Sequence, residues 1–297
     1  MTPRNRLRDS IPPSAAPRPS PLVEIADPRN VSETPTGDVR VALGTDWPAL
    51  LRALRRVGPV LSVTRNSHAV IGREGPLPEL AFSAGFGRAG DMAFDFRQWG
   101  SARVVHSRRK NRNIFAVEWL DWQNEVHHKT CLTSQANLSE FLAWTERHQN
   151  PNPGTLRETD LFAPPTLTPP EPGPLVHQGC VEYLLREALA CTQPLRMSVG
   201  NAASRQTATF VPTSLSLCDQ WCFLSGEQTG VHLRTRNLAE VMLQKNPDSS
   251  DDSLILKLHD PEARWIAEIA SPENADATQW NDFLHHRLVR MPPLPSA

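Results

Sequence analysis

No stretch of this chain approaches the ~20 apolar residues that a membrane-crossing helix needs, so insertion in a membrane through helices is not expected. Charge of one sign is missing too. Lys and Arg number 31 against 32 Asp and Glu, a net charge of −1. A phosphate-tracking surface leaves a basic signature, so nucleic acid is not expected as a partner. The five cysteines (131, 180, 191, 218 and 222) are an odd count without paired spacing. Cys218-x3-Cys222 matches neither a redox CxxC nor a zinc half-site, and buried thiols in a reducing, cytoplasmic compartment are the expectation. The arginine-rich start lacks an apolar core segment, which argues against a secretory signal. There is no GxSxG elbow, HExxH pair or Walker loop.

Proline is what the chain has in quantity: 28 residues, unevenly placed. They crowd into residues 1–40, residues 151–174 and the last six positions. Proline fixes φ and removes a backbone donor, so such runs resist both helix and central strand. The expected organisation is a disordered head (1–40), a folded unit (41–150), a Pro-rich linker (151–175), a second folded unit (176–290) and a tail (291–297). Each unit is of ordinary domain size.

The first unit opens on a helix. Asp46 or Thr45 can cap it, Pro48 suits its first turn, Gly58 can close it, and Leu50, Leu51, Leu54 and Val57 form its apolar stripe. Strand-like runs follow at Val60–Thr64, Met92–Phe96, Ala102–His106, Asn113–Leu120 and Val126–Leu132. A helix over Asn137–His148 closes the unit, with Leu138, Phe141, Leu142 and Trp144 expected inward. The second unit repeats this order, from a helix over Val181–Ala190 through seven strand-like runs to a helix over Asp276–Leu288. Landmarks register at a nearly constant offset: Leu50-Leu51-Arg52 with Leu184-Leu185-Arg186, Asn66 with Asn201, Asp121 with Asp260, Trp144 with Trp280. The expected fold is therefore α+β, a tandem duplication in which each unit is an antiparallel multi-stranded sheet with flanking helices. Two such units would pack about a pseudo-twofold axis, with a cleft between or beside them.

Three local patterns invite functional readings, and each has a plainer one. Gly85-Phe86-Gly87-Arg88-Ala89-Gly90 fits GxGxxG, but it leads into Asp91–Phe96, which alternates like a strand. Without the helix that receives a pyrophosphate it reads as a loop between strands. The basic run Ser107–Arg112 lacks interleaved aromatics and reads as a solvated hairpin tip. His127-His128 and His285-His286 each send their members in different directions, so neither pair makes a convergent metal site alone.

Gly58-Pro59-Val60-Leu61-Ser62-Val63-Thr64-Arg65-Asn66 resembles the G-x-V-x-x-x-T-R-N segment of the HemS/ChuX-type family of bacterial haem-utilisation proteins, the haemin-degrading factors. Further likenesses follow in order: Gln98-Trp99-Gly100-Ser101-Ala102, His128-Lys129 before Leu132-Thr133, Val199-Gly200-Asn201, His232-Leu233-Arg234 through Ala239-Glu240, and Lys245-Asn246-Pro247. The resemblance spans about residues 45–288. It implies a tandem pair of α+β units and a cytoplasmic role with haem: receiving it from an importer, passing it to a haem oxygenase, or degrading it with an external electron donor.

Such a site needs an apolar slot, an axial donor for iron and cations for the propionates. The resemblance implies Arg65, Arg234 and Lys245 as the cations. The family's axial histidine lies on a helix between the repeats, a stretch that here is the Pro-rich 150–176; His177 is the nearest histidine and the candidate iron ligand. The family's iron-facing sheet arginine falls on Ala93, with Arg97 four residues along. Its propionate-binding tyrosine and arginine fall near Ala270 and Ser271, and the chain's one tyrosine, Tyr183, leaves little room for a tyrosinate ligand. The expected function is a haem carrier of iron acquisition rather than an enzyme. The rival is a scaffold that keeps the fold without haem and acts through polyproline contacts of its head and linker.

Overall fold

In a computed structural model, described here for residues 39–109, 112–150, 174–247, 252–273 and 275–289, the chain forms two nine-stranded antiparallel sheets and four α-helices. The expected head, most of the linker and the tail lie outside the described residues. The first unit runs β1 (Val39–Ala42), α1 (Trp47–Leu54), β2 (Pro59–Arg65), β3 (Ala69–Pro76), β4 (Leu80–Ser83), β5 (Phe86–Ala89), β6 (Met92–Asp95), β7 (Trp99–Arg109), β8 (Arg112–Asp121), β9 (Val126–Leu132) and α2 (Leu138–His148). The second runs β10 (Leu175–Val176), α3 (Gly179–Ala190), β11 (Leu195–Gly200), β12 (Ser204–Phe210), β13 (Ser214–Cys218), β14 (Trp221–Ser225), β15 (Thr229–Leu233), β16 (Glu240–Lys245), β17 (Leu254–His259), β18 (Trp265–Ala270) and α4 (Ala277–Val289).

Local chemistry accounts for the helices. Asp46 Oδ1 accepts from the Ala49 amide, α1 buries Trp47, Leu50, Leu51 and Leu54, and Gly58 at φ +99° ends the helical stretch. Only glycine takes that conformation without strain. Asn137 caps α2 by accepting from Glu140 N. The buried residues of α2 are Phe141, Trp144 and Thr145, whereas Leu138 and Leu142, expected inward, are exposed. Leu142 stands one residue, about 100°, round from Phe141 and so leaves the stripe.

The α+β class and the duplication are as expected, but the sheets show something that periodicity cannot. Their orders are β1-β7-β8-β9-β2-β3-β15-β14-β13 and β10-β16-β17-β18-β11-β12-β6-β5-β4. Each unit keeps six strands and gives three consecutive strands to the other unit's sheet. The expected loop around the GxGxxG letters is part of that exchange. Phe86–Ala89 is itself a strand between two glycine turns, Gly85 at φ +84° and Gly90 at φ +56°.

Two asparagines fasten the pseudo-twofold centre. Asn66 Oδ1 accepts from the amides of His68 and Ala69, and its Nδ2 donates to Gly200 O and Ile266 O. Asn201 mirrors it, accepting from Ala203 and Ser204 and donating to Arg65 O and His127 O. Each thus bonds the carbonyl just before its counterpart. The turn aspartates correspond as well: Asp121 accepts from the amides of Gln123 and Glu125, Asp260 from those of Glu262 and Arg264.

Gly100 sits at the register shift between β7 and β8. A Cβ there would lie 2.6 Å from Asp121 O and 2.9 Å from Trp122 Cα. That backbone cannot yield cheaply, so Gly100→Ala should cost about 1–3 kcal/mol of stability. In urea its midpoint should fall at unchanged m-value, and an unchanged midpoint would contradict this packing.

Candidate functional site

The exchanged strands β5 and β6 and their neighbour β12 carry an open groove of about 660 Å³. Its apolar wall is Phe82, Phe86, Ala81 and Ala93, with Phe82 and Phe86 46% and 47% exposed; Phe94 borders it but is 3% exposed, its ring packed on Phe96, Trp99 and His128. Arg88, Arg97 and Arg205 supply its cations. Cross-strand register explains their grouping. Arg88 opposes Ala93, and Ala93 opposes Arg205, so the three form one row across β5, β6 and β12. Directly opposed residues share a face. The position where the resemblance would have an arginine is alanine, and an arginine flanks it on either side.

The three cations are held differently. Arg205 reaches Glu268 Oε1 at 3.2 Å and Ser198 Oγ at 3.3 Å, and stands 5.1 Å from the centroid of the Trp265 ring. Glu268 is buried, so its carboxylate and the indole fix the guanidinium in place while the arginine still lines the groove. Arg97 makes a bidentate pair with Asp95, at 2.8 Å on both contacts, and lies 4.1 Å over Phe86. Arg88 has no partner among the described residues.

Behind this groove runs a buried polar seam between the sheets. His128 Nδ1 lies 2.8 Å from Thr64 Oγ1, Thr64 donates to Gln206 Oε1 at 3.0 Å, and Gln206 Nε2 donates to Ser62 O at 3.2 Å. With the Thr64 proton committed to Gln206, Nδ1 of His128 must carry its own. Beside it, His127 Nδ1 is 3.3 Å from the Ser204 hydroxyl, and Ser204 lines the groove. Burial pushes both imidazoles down to about 3. The adjacent histidines therefore do not converge on a metal; they stitch β9 to β2 and β12. Among the described residues no cluster of His, Cys, Asp and Glu could hold a metal ion. Cys131, Cys180 and Cys222 are buried, and burial pushes the thiols of Cys131 and Cys222 up to about 11 and about 12.

The four residues expected to meet haem do not come together. Arg65 ends β2, where burial lowers its pKa, and its carbonyl accepts from Asn201. Arg234 follows β15 in the same sheet, donating to Gln220 Oε1 at 3.0 Å. Lys245 ends β16 in the other sheet, exposed and ion-paired with Asp252. His177 is exposed at the start of α3, where its Nδ1 accepts from the Gly179 amide at 3.1 Å and so helps to cap the helix. It follows edge strand β10, six strand spacings from β6, roughly 29 Å along the sheet. None of the four lines the groove. Arg88 and Arg205, which do, lay outside the sequence reading because only strand register brings them beside Ala93.

Fold and groove together define an intertwined two-unit α+β protein with an arginine-rimmed apolar trough on one sheet. Residues 30–149 match the family model described as the haemin-degrading HemS.ChuX domain. The first unit of the chain thus matches the HemS/ChuX family. Over 132 residues it is 28% identical to the hemin transport protein HmuS of Yersinia pestis, which covers 43% of this chain and 38% of that protein. It is 22% identical to the hemin transport protein HemS of Yersinia enterocolitica, across 80% of this chain and 82% of that one. Among solved structures, holo-PhuS, a heme-binding protein from Pseudomonas aeruginosa, superposes with a TM-score of 0.72 at 20% identity, covering 82% of this chain and 86% of that one. ChuS, described as an E. coli heme oxygenase, gives 0.73 at 17% identity, covering 84% and 89%. At these identities the structural likeness speaks to the fold.

Proposed function

We propose that this chain takes haem as cargo in the groove of the second sheet and hands it on within the cytoplasm, from an importer towards a haem oxygenase. The observation that carries this is the Arg88–Ala93–Arg205 row beside Phe86 in a chain whose first unit matches this family. A planar apolar ring suits the exposed face of Phe86, and two propionates suit the paired arginines. Among the described residues that line the groove, none is a histidine, cysteine, methionine or tyrosine. The groove therefore fits the porphyrin and its carboxylates but offers no axial donor of its own. That favours a carrier, which releases iron and ring together, over an enzyme that must hold iron for reaction with O₂.

Haemin titrated into the apo protein should give a saturable Soret shift at one equivalent. Arg88→Ala and Arg205→Ala should each weaken binding about 10-fold or more, the usual worth of a charge-assisted hydrogen bond. His177→Ala should leave the spectrum unchanged. A changed spectrum would instead move the iron to the β10 edge, where the resemblance has it. No saturable shift would favour the scaffold reading, in which the Pro-rich 1–40 and 151–175 segments bind partner domains.

A further inference from the structure

We infer a second ligand site, for a small organic carboxylate with an apolar body, in a cavity of about 510 Å³ between the two sheets. The groove described above is bordered by Arg88, Ala93 and Arg205. This cavity opens against the neighbouring residues of the same strands, Ala89, Met92 and Gln206, and against β2 and β3 of the other sheet. Its volume falls in the usual range for small-molecule sites, about 300–1,000 Å³.

Unspent donors set the ligand class. On the floor, Gln206 is 1% exposed. Its amide can donate twice and accept twice, yet the described residues engage one N–H, to Ser62 O, and one acceptor site, from Thr64. The Ser62 hydroxyl, in a residue 5% exposed, bonds to no other described group. At the mouth, Arg55 donates through Nε to Leu77 O at 3.1 Å, and its two terminal nitrogens have no partner among the described residues. An N–H, an O–H and a guanidinium thus line one space whose walls are Leu77, Ala89 and Met92. The two acids on the rim do not cancel this. Asp91 is already held by Arg73 at 2.5 Å, and Glu74 stands in register with Leu61 on β2 rather than with Ser62. These donors face the cavity together, and an anion with a short apolar body would engage all three.

Benzoate is a suitable probe, and benzamide its uncharged counterpart of the same shape. In full-length protein labelled with ¹⁵N, benzoate should move the side-chain amide signals of Gln206 saturably, and benzamide should bind at least 10-fold more weakly. Arg55→Gln should weaken benzoate binding about 10-fold; Arg55 is exposed, so the variant should fold. Ser62→Ala should weaken it further without altering the haemin Soret shift. The inference is overturned if Gln206 does not respond to benzoate, if benzamide binds equally well, or if Arg55→Gln leaves the affinity unchanged.

Discussion

Asn201→Ala should lower the free energy of unfolding by about 3–5 kcal/mol, among the largest effects of any single substitution in this chain. The side chain makes four hydrogen bonds: it donates to Arg65 O at 2.7 Å and His127 O at 3.0 Å, and accepts from Ala203 N and Ser204 N, both at 2.9 Å. Alanine would strand two carbonyls of the first sheet and two amides of the second at their junction, each costing roughly 1–3 kcal/mol where water cannot replace the partner. Asn201→Asp offers a sharper comparison. It keeps the two accepting contacts but turns a carboxylate oxygen towards two carbonyls, so it should be at least as damaging as alanine. Urea denaturation checks both, and an aspartate variant as stable as the wild type would refute this account of the seam. Because Asn201 also lines the groove, both variants should weaken haemin binding along with stability.

The second large effect is acid sensitivity. His127 and His128 have folded-state pKa values pushed down to about 3 by burial, well below the 6.5 of a free imidazole. A depressed value means the unfolded chain takes up protons that the folded chain refuses. Their contribution is therefore fully present above pH 6.5 and is lost as pH falls from there towards 3. Within that window each histidine should remove about 1.4 kcal/mol per pH unit. His68 and His259 are also lowered by burial and act in the same sense. Carboxylates such as Asp260, whose hydrogen bonds hold it below its usual range, stabilise across this window and lose that contribution only at more acid pH. Unfolding free energies measured between pH 4.5 and 6.5 should thus fall steeply. His128→Gln, which can still donate to Thr64, should make that slope shallower by about 1.4 kcal/mol per pH unit. An unaltered slope would mean that His128 is already neutral for another reason, or accessible to water.

Much of the fold could be read from the residues because its signals are local. Capping by Asp46 and Asn137, closure by Gly58 and the apolar helix stripes depend on a few neighbours. The repeat shows in landmarks such as Asn66 and Asn201, which prove to be each other's counterparts. Strand exchange was not legible, since alternation reveals a strand without revealing which sheet receives it. Alternation does not mark β3, β4, β5 or β13, where glycine, proline and serine dilute the pattern, nor β1 and β10, which are only four and two residues long. The site was less legible still. Arg65, Arg234, Lys245 and His177 follow from the resemblance; Arg65 and Arg234 share one sheet, while Lys245 and His177 stand at the β10–β16 edge of the other. Arg88 and Arg205 stand 117 residues apart and become a pair only when β5, β6 and β12 lie side by side.

The exchanged strands carry a consequence for the origin of this architecture. A single unit folded alone would close a six-stranded sheet and leave three strands with no sheet to join. Two copies of that unit could each accept the other's three strands, forming a symmetric swapped homodimer with the same two sheets. The present chain has the topology of such a dimer fused into one polypeptide, and fusion frees its halves to diverge. The groove records that freedom: the β6 position is Ala93, and its counterpart on β15, one repeat later, is His232.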